Sequence, residues 1–318
     1  MSKKAIIFGI KGHKLSANEI KLFKFIKPWG IILFSRNIKN IIQLKDLISS
    51  IKKIVNDKKL PILIDQEGGK VSRLNKIIDF SIFSQYTFGK LFKKNEKNFL
   101  FYYKIYVNSV SSILNEVGIN LNTVPVLDVK RNDSHNIIGD RSFSRNPKNV
   151  AKLGKLCVTL YKKNKIGTII KHIPGHGLSK VDSHYETPVV KKSKKELIKK
   201  DFLPFKLLKN SFFAMTAHIV YEAFDKKNTA THSKVVIRDV IRNRRCINFK
   251  GILISDDISM KSLDKDIESN ALKALKAGCN LVLHCNGNIK EMFKLAKVIP
   301  NVDKFTKKKT SHFYKILR

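Results

Sequence analysis

No apolar run in this chain approaches the roughly 18 residues that a membrane-spanning helix needs, and none of its four cysteines forms a C-x-x-C pair. The first absence excludes a helical membrane span. The second leaves Cys157, Cys246, Cys279 and Cys285 to be read as reduced core thiols, not as a disulfide framework or a zinc knuckle. The basic start "MSKKAIIFGIKGHK" carries an apolar run that stops at Lys11, too short for a secretory leader with a cleavage site behind it. A cytoplasmic location is the expectation. Arginine is also scarce: of 63 basic residues ten are Arg, so the net charge of +38 is carried mostly by lysine. The lysines are spread over nearly every helical segment, and the guanidinium forks that read phosphates and base edges are few. Nucleic acid is therefore not expected as the main partner. The joint excess of Lys, Ile and Asn reads as a drift of overall composition.

What is present is an alternation. Short β-branched runs are followed by longer segments of helical period, with 43% hydrophobic residues to fill a core. The runs are Ala5–Ile10, Gly30–Ser35, Pro61–Asp65, Ile119–Val129, Gly167–Ile173, Phe212–Val220, Gly251–Asp257 and Asn280–Cys285. Eight β-units, each with a helix behind it, predict a parallel sheet with right-handed crossovers, and eight is the number that closes a (β/α)8 barrel. A doubly wound open sheet is the alternative, but "FGIKGHK" after the first run does not supply its G-x-G-x-x-G fingerprint. Without internal repeats or Gly/Ser linkers, the expected organisation is one barrel over residues 1–300 and a basic tail or helix over 301–318.

In such barrels the chemistry sits at the C-terminal ends of the strands. Those ends carry Ser35 and Arg36, Asp65 and Glu67, Asp128, Lys171 and His172, His218, Asp256 and Asp257, and His284. A purely structural barrel has no need of so many titratable groups at one rim, so an active site is expected there.

The motifs differ in weight. "DQEGGKVSRL" turns on Gly68 and Gly69 and could return Arg73 to the rim beside Asp65, although a plain turn with solvated charges fits as well. "IGDRSFSRNP" lies in a long loop after the fourth strand, where Arg141 offers a rigid fork for hydroxyl or carboxylate oxygens. In "KHIPGHG" Lys171 and His172 leave the strand end, and His176 inside the turn is read as structural. In "VDSH" Asp182 and His184 share a side of an extended loop, an arrangement suited to a proton shuttle near neutral pH. A metal pair there lacks the H-x-H that a metal-dependent barrel hydrolase places after its first strand. "SDDISM" puts Asp256 and Asp257 on opposite faces of a strand, so one of them enters the mouth as nucleophile or electrostatic partner. A carboxylate nucleophile with a separate acid/base is the kit of a retaining glycosidase, with histidine in place of the second carboxylic acid.

In order along the chain, "GIILFSRN", "DQEGGKVSRL", "IGDRSF", "KHIPGHG" with "DSH", and "SDDISM" resemble the bacterial β-N-acetylglucosaminidases of glycoside hydrolase family 3, the single-domain cytoplasmic type associated with cell-wall recycling. The resemblance implies Asp256 as nucleophile, His184 on a mobile loop as acid/base with Asp182 as its partner, and Asp65, Arg73, Arg141, Lys171 and His172 as substrate-binding residues. It implies release of a non-reducing N-acetylglucosamine from a muropeptide through a covalent glycosyl-enzyme, with no metal or organic cofactor. Ser72 stands where the family usually has Gln, and Ile173 where Phe is common. Three other readings keep a place. They are a family-3 phosphorylase with phosphate in place of water, a Schiff-base lyase with Lys171 as nucleophile, and a basic nucleic-acid-binding protein.

Overall fold

A computed structural model describes residues 3–131, 138–179, 181, 185–263 and 266–316. Eight parallel strands close into a barrel: β1 (Lys4–Gly9), β2 (Pro28–Leu33), β3 (Ile62–Ile64), β4 (Leu121–Asn122), β5 (Gly167–Ile173), β6 (Phe213–Thr216), β7 (Ile252–Asp257) and β8 (Leu281–His284). Neighbours around the barrel are neighbours in sequence, and β1 closes on β8 with Ile6 opposite Val282. Around it lie α1 (Ala17–Phe25), α2 (Ile41–Val55), α3 (Gln85–Lys94), α4 (Glu96–Val117), α5 (Pro147–Lys163), α6 (Lys194–Lys199), α7 (Leu203–Leu207), α8 (Ile267–Ala277), α9 (Ile289–Val298) and α10 (Lys304–Ile316). None of the described helices is long and apolar enough to cross a membrane.

The strands are buried over almost their whole length, as sheets covered on both faces require. Helix starts are set by local chemistry. Ser16 and Glu19 form a capping box on α1, and Asn40, Asn95, Asn146 and Asn288 cap α2, α4, α5 and α9. At the N-terminal end of the barrel α10 closes the floor. Phe313 packs on Phe213 with ring centroids 4.9 Å apart, and the Trp29 indole N–H donates to Thr310 Oγ1 at 3.0 Å.

Three expected elements are interrupted. The fourth strand pairs only at Leu121–Asn122, because Pro125 has no N–H for the ladder, and pairing resumes as a single bridge from Val126 to Lys171. The sixth ends at Thr216. Val220–Tyr221 pairs instead with Val189–Val190 in a separate two-strand ladder. The helix expected after the fifth strand is split into α6 and α7, with Pro204 in the first turn of the second piece, where its missing N–H costs nothing.

Candidate active site

The C-terminal ends of β3, β4, β5 and the loop before α5 converge on one ionic cluster. Lys171, almost fully buried, donates to Asp65 Oδ1 at 3.1 Å, to Glu67 Oε1 at 2.6 Å and to Thr123 Oγ1 at 2.8 Å. Thr123 in turn donates to Asp65. Arg141 forks onto Glu67, with Nε to Oε2 and Nη2 to Oε1 both at 2.8 Å, and Nη2 stands 3.5 Å from His172 Nε2. Arg73 approaches Asp65 Oδ2 at 3.6 Å. The Lys171–His172 peptide is cis, and both side chains enter this cluster.

Burial without partners would push these carboxyls up. For Asp65 that push is outweighed by Lys171 and then Arg73, which hold it well below the usual carboxylate range. For Glu67 burial is outweighed by Arg141 and Lys171, and the group titrates at about 2. Burial works against Arg141's charge, but Glu67 overrides it and raises the guanidinium further above its ordinary value.

Behind the mouth, Asp128 is fully buried and organises the histidine turn. Its Oδ2 lies 2.7 Å from His172 Nδ1, and its Oδ1 accepts the backbone N–H groups of His172 and His176 at 3.2 and 2.7 Å. His176 is buried with its ring 5.4 Å from that of His172, and burial is the main reason its value falls to about 4. The turn approaches the chain before it very closely. A Cβ on Gly177 would lie 2.0 Å from the Val129 carbonyl oxygen, so only glycine fits.

On β7, Asp256 Oδ1 accepts the N–H of Asp257 at 2.8 Å, and among the described residues no hydrogen bond is made to Oδ2. Burial would raise the Asp256 carboxyl. His172 and His218, the Asp257 N–H and then Lys171 reverse this and leave it below its ordinary value. Asp257 faces elsewhere, taking Ser259 and the Cys285 N–H, as the alternation of a strand predicts. His218 Nε2 donates to the Asp257 carbonyl at 2.9 Å, which leaves Nδ1 to accept from Thr231 at 2.7 Å. Burial holds its value below that of an ordinary histidine. His218 thus secures the backbone that carries Asp256.

Two other strand-end residues serve the scaffold. Arg36 donates to the carbonyls of Ile10 and Cys285, and His284 turns to Glu291 of α9 at 2.7 Å. Asp182 and His184 lie outside the described residues. Their flanks are tied down: Ser179 donates to the Val181 carbonyl, and Thr187 Oγ1 to that of Ser262 at 2.7 Å. Among the described residues no group of three or more His, Cys, Asp or Glu could hold a metal ion.

The structure therefore brings together Asp65, Arg73, Arg141, Lys171, His172 and Asp256. Sequence reasoning placed Glu67 and Asp128 at strand ends but did not single them out as the groups on which the cations and histidines turn. Two acidic residues among so many lysines at strand ends was the available signal. The unusual Ser72 has a local role, exchanging hydrogen bonds with Gln66, whose Oε1 also accepts the Arg73 and Leu74 N–H groups at 2.8 and 3.1 Å.

Comparison with known proteins shows the family and the fold. Residues 11–316 match the glycosyl hydrolase family 3 N-terminal domain. A β-hexosaminidase of Hydrogenovibrio crunogenus is 38% identical over 262 residues, 81% of this chain and 71% of its own length. A β-hexosaminidase of Photobacterium profundum is 31% identical across 98% of this chain and 92% of its own. Among solved structures, NagZ from Neisseria gonorrhoeae in complex with N-trifluoroacetyl-D-glucosamine superposes with a TM-score of 0.84 at 29% identity, covering 98% of this chain and 90% of that one.

Proposed function

This chain belongs to glycosyl hydrolase family 3 and is a β-N-acetylhexosaminidase-type glycosidase, and we propose that it works as a retaining exo-enzyme through Asp256 and His184. The substrate we infer is a peptidoglycan fragment with a terminal N-acetylglucosamine on 1,6-anhydro-N-acetylmuramic acid, with or without its peptide. Hydrolysis of such fragments would take place in the cytoplasm.

The observation that supports this most is the open Oδ2 of Asp256, on a carboxylate held ionised at the edge of a mouth lined by paired charges. Asp256 attacks the anomeric carbon while His184 gives its proton to the leaving oxygen. His184, now neutral, then takes a proton from water as that water attacks the glycosyl-enzyme, so two inversions retain the configuration. Asp182 holds the imidazole and favours its charged form. Asp65, Lys171, Arg141, Arg73 and His172 bind the sugar hydroxyls, a polar constellation that rejects a ligand lacking them. The neighbour's N-trifluoroacetyl-D-glucosamine supports a mouth of this kind for the N-acetyl sugar. Lys171 does not suit a Schiff-base lyase, because all three of its N–H donors are engaged by oxygens and no lone pair is left for attack.

Turnover of a chromogenic N-acetyl-β-glucosaminide, beside the matching β-glucoside, tests the assignment in wild type, Asp256→Ala and His184→Ala. Hydrolysis of the first sugar only is expected, with Asp256→Ala slower by on the order of 10⁴ or more. Near-normal activity in that variant would remove the nucleophile assignment. Turnover that depends on added phosphate would instead identify a phosphorylase.

A further inference from the structure

Large apolar residues exposed singly on a surface need no explanation. Here they are gathered: among the described residues, nine of the fifteen exposed large hydrophobics fall within residues 41–105. The helix α4 buries Phe99, Tyr103, Tyr106 and Val110 against the barrel. Beside that face stand Phe101, Tyr102 and Ile105, spaced so that they share one flank, and they are 62%, 54% and 49% exposed.

One neighbouring element extends the flank. The loop before α3 carries Ile82, 70% exposed, and is fastened to α4 by the Phe83 ring, 5.8 Å from that of Tyr106. Tyr106 follows Ile105 directly and lies one turn from Tyr102. Lys97 and Lys104 of the same helix, both exposed, stand within one turn of Phe101. The loop before α3 packs on Gly68 beside Glu67, and the start of α4 belongs to the same end of the barrel, so the area lies on the wall below the mouth.

We propose that this flank seats the protein on an anionic lipid bilayer. Phe101, Tyr102, Ile105 and Ile82 enter the headgroup boundary, and the lysines stay level with the lipid phosphates. Charge complementarity selects this occupant. A second copy would bring together two chains of charge +38. Single-stranded nucleic acid would use the lysines and stack on Phe101 and Tyr102, but it gains nothing from Ile82 and Ile105. An anionic bilayer takes both, because each Lys near its surface adds electrostatic attraction. Attachment leaves the mouth open at the edge of the contact. This inference does not depend on the reaction proposed above.

Vesicle flotation of the full chain tests it, with phosphatidylglycerol mixed into phosphatidylcholine in one set and phosphatidylcholine alone in the other. The wild type is expected to float with the anionic vesicles only, less so at high salt. The double variant Phe101→Ser with Ile105→Ser changes no charge and is expected to bind at least about tenfold more weakly. Phe305→Ser, an exposed position on α10 at the opposite end of the barrel, should bind as wild type does. Unchanged melting curves would show that the variants fold. Equal binding by the double variant and wild type would mean that net charge alone draws the chain to the surface, and would overturn the proposal. Absence of flotation, or retention by RNA or an acidic protein instead of vesicles, would overturn it equally.

Discussion

Asp128 and His172 form a closed unit in which one carboxylate takes the ring Nδ1 at 2.7 Å and the same residue's backbone N–H at 3.2 Å. The pairing directs Nε2 of the ring toward Arg141 and the mouth. Replacing Asp128 with Asn keeps the shape but offers Nδ1 either an oxygen or an N–H that cannot accept. The expected result is a loss of kcat/KM of about 10–100-fold, the range of a lost charge-assisted hydrogen bond. Binding of N-acetylglucosamine should weaken in parallel, whereas a merely structural loss would lower the melting temperature without changing affinity in the folded fraction.

Glu67 gives the fold a pH dependence of known sign. Its carboxyl titrates at about 2 when folded, against about 4.3 in an unfolded chain. The stabilisation is complete above the unfolded value and is lost as pH falls from there toward about 2. Glu67→Gln leaves Lys171 and Arg141 buried without their shared anion and is expected to cost about 3–5 kcal/mol at neutral pH. Denaturant midpoints measured down the acid limb should converge for wild type and variant. A constant gap would contradict the ion-pair account.

Lys171→Met removes the donor that Asp65, Glu67 and Thr123 share. It leaves two carboxylates facing each other without their cation, so KM should rise and kcat/KM fall by about 10²-fold. Steady-state kinetics on the chromogenic sugar would separate the two effects. An unchanged KM would remove Lys171 from the sugar subsite.

Gly68 adopts φ +85°, and a Cβ there would lie 2.2 Å from the Phe83 carbonyl oxygen. Gly68→Ala is expected to lower stability by at least about 1–3 kcal/mol, because the backbone must leave the left-handed region or the Phe83 loop must move. The turn follows Glu67 directly, so kcat/KM should drop together with the denaturant midpoint.

Much of this was legible in the chain itself. Eight β-runs with helices behind them fix the barrel, and the strand-end rule brings Asp65, Lys171, His172 and Asp256 to one rim. What was not legible is who meets whom. Arg141 finds Glu67 across 74 residues and Lys171 finds Asp65 across 106, and a periodicity argument carries no such information. Strand ends also mislead: His284 ends β8 yet turns to Glu291, because a histidine on a strand end bonds whichever carboxylate its adjacent helix offers. The interruption at Pro125 follows from a rule readable in advance, whereas the exposed flank of α4 depends on how far the neighbouring helices reach. Helical period alone does not separate Phe101 from Phe99.

The mouth inverts the electrical character of the molecule. Four of the 25 acidic residues, Asp65, Glu67, Asp128 and Asp256, gather in and behind it with Arg73, Arg141 and Lys171, while the outside of the barrel is crowded with lysine. The interior is thus close to balanced and insulated by protein, and the shell is a strong cation. Salt in the medium screens the shell over about 10 Å and hardly reaches buried pairs. Ionic strength therefore governs how often an acidic molecule arrives, and the affinity of the subsite for an uncharged sugar stays nearly constant.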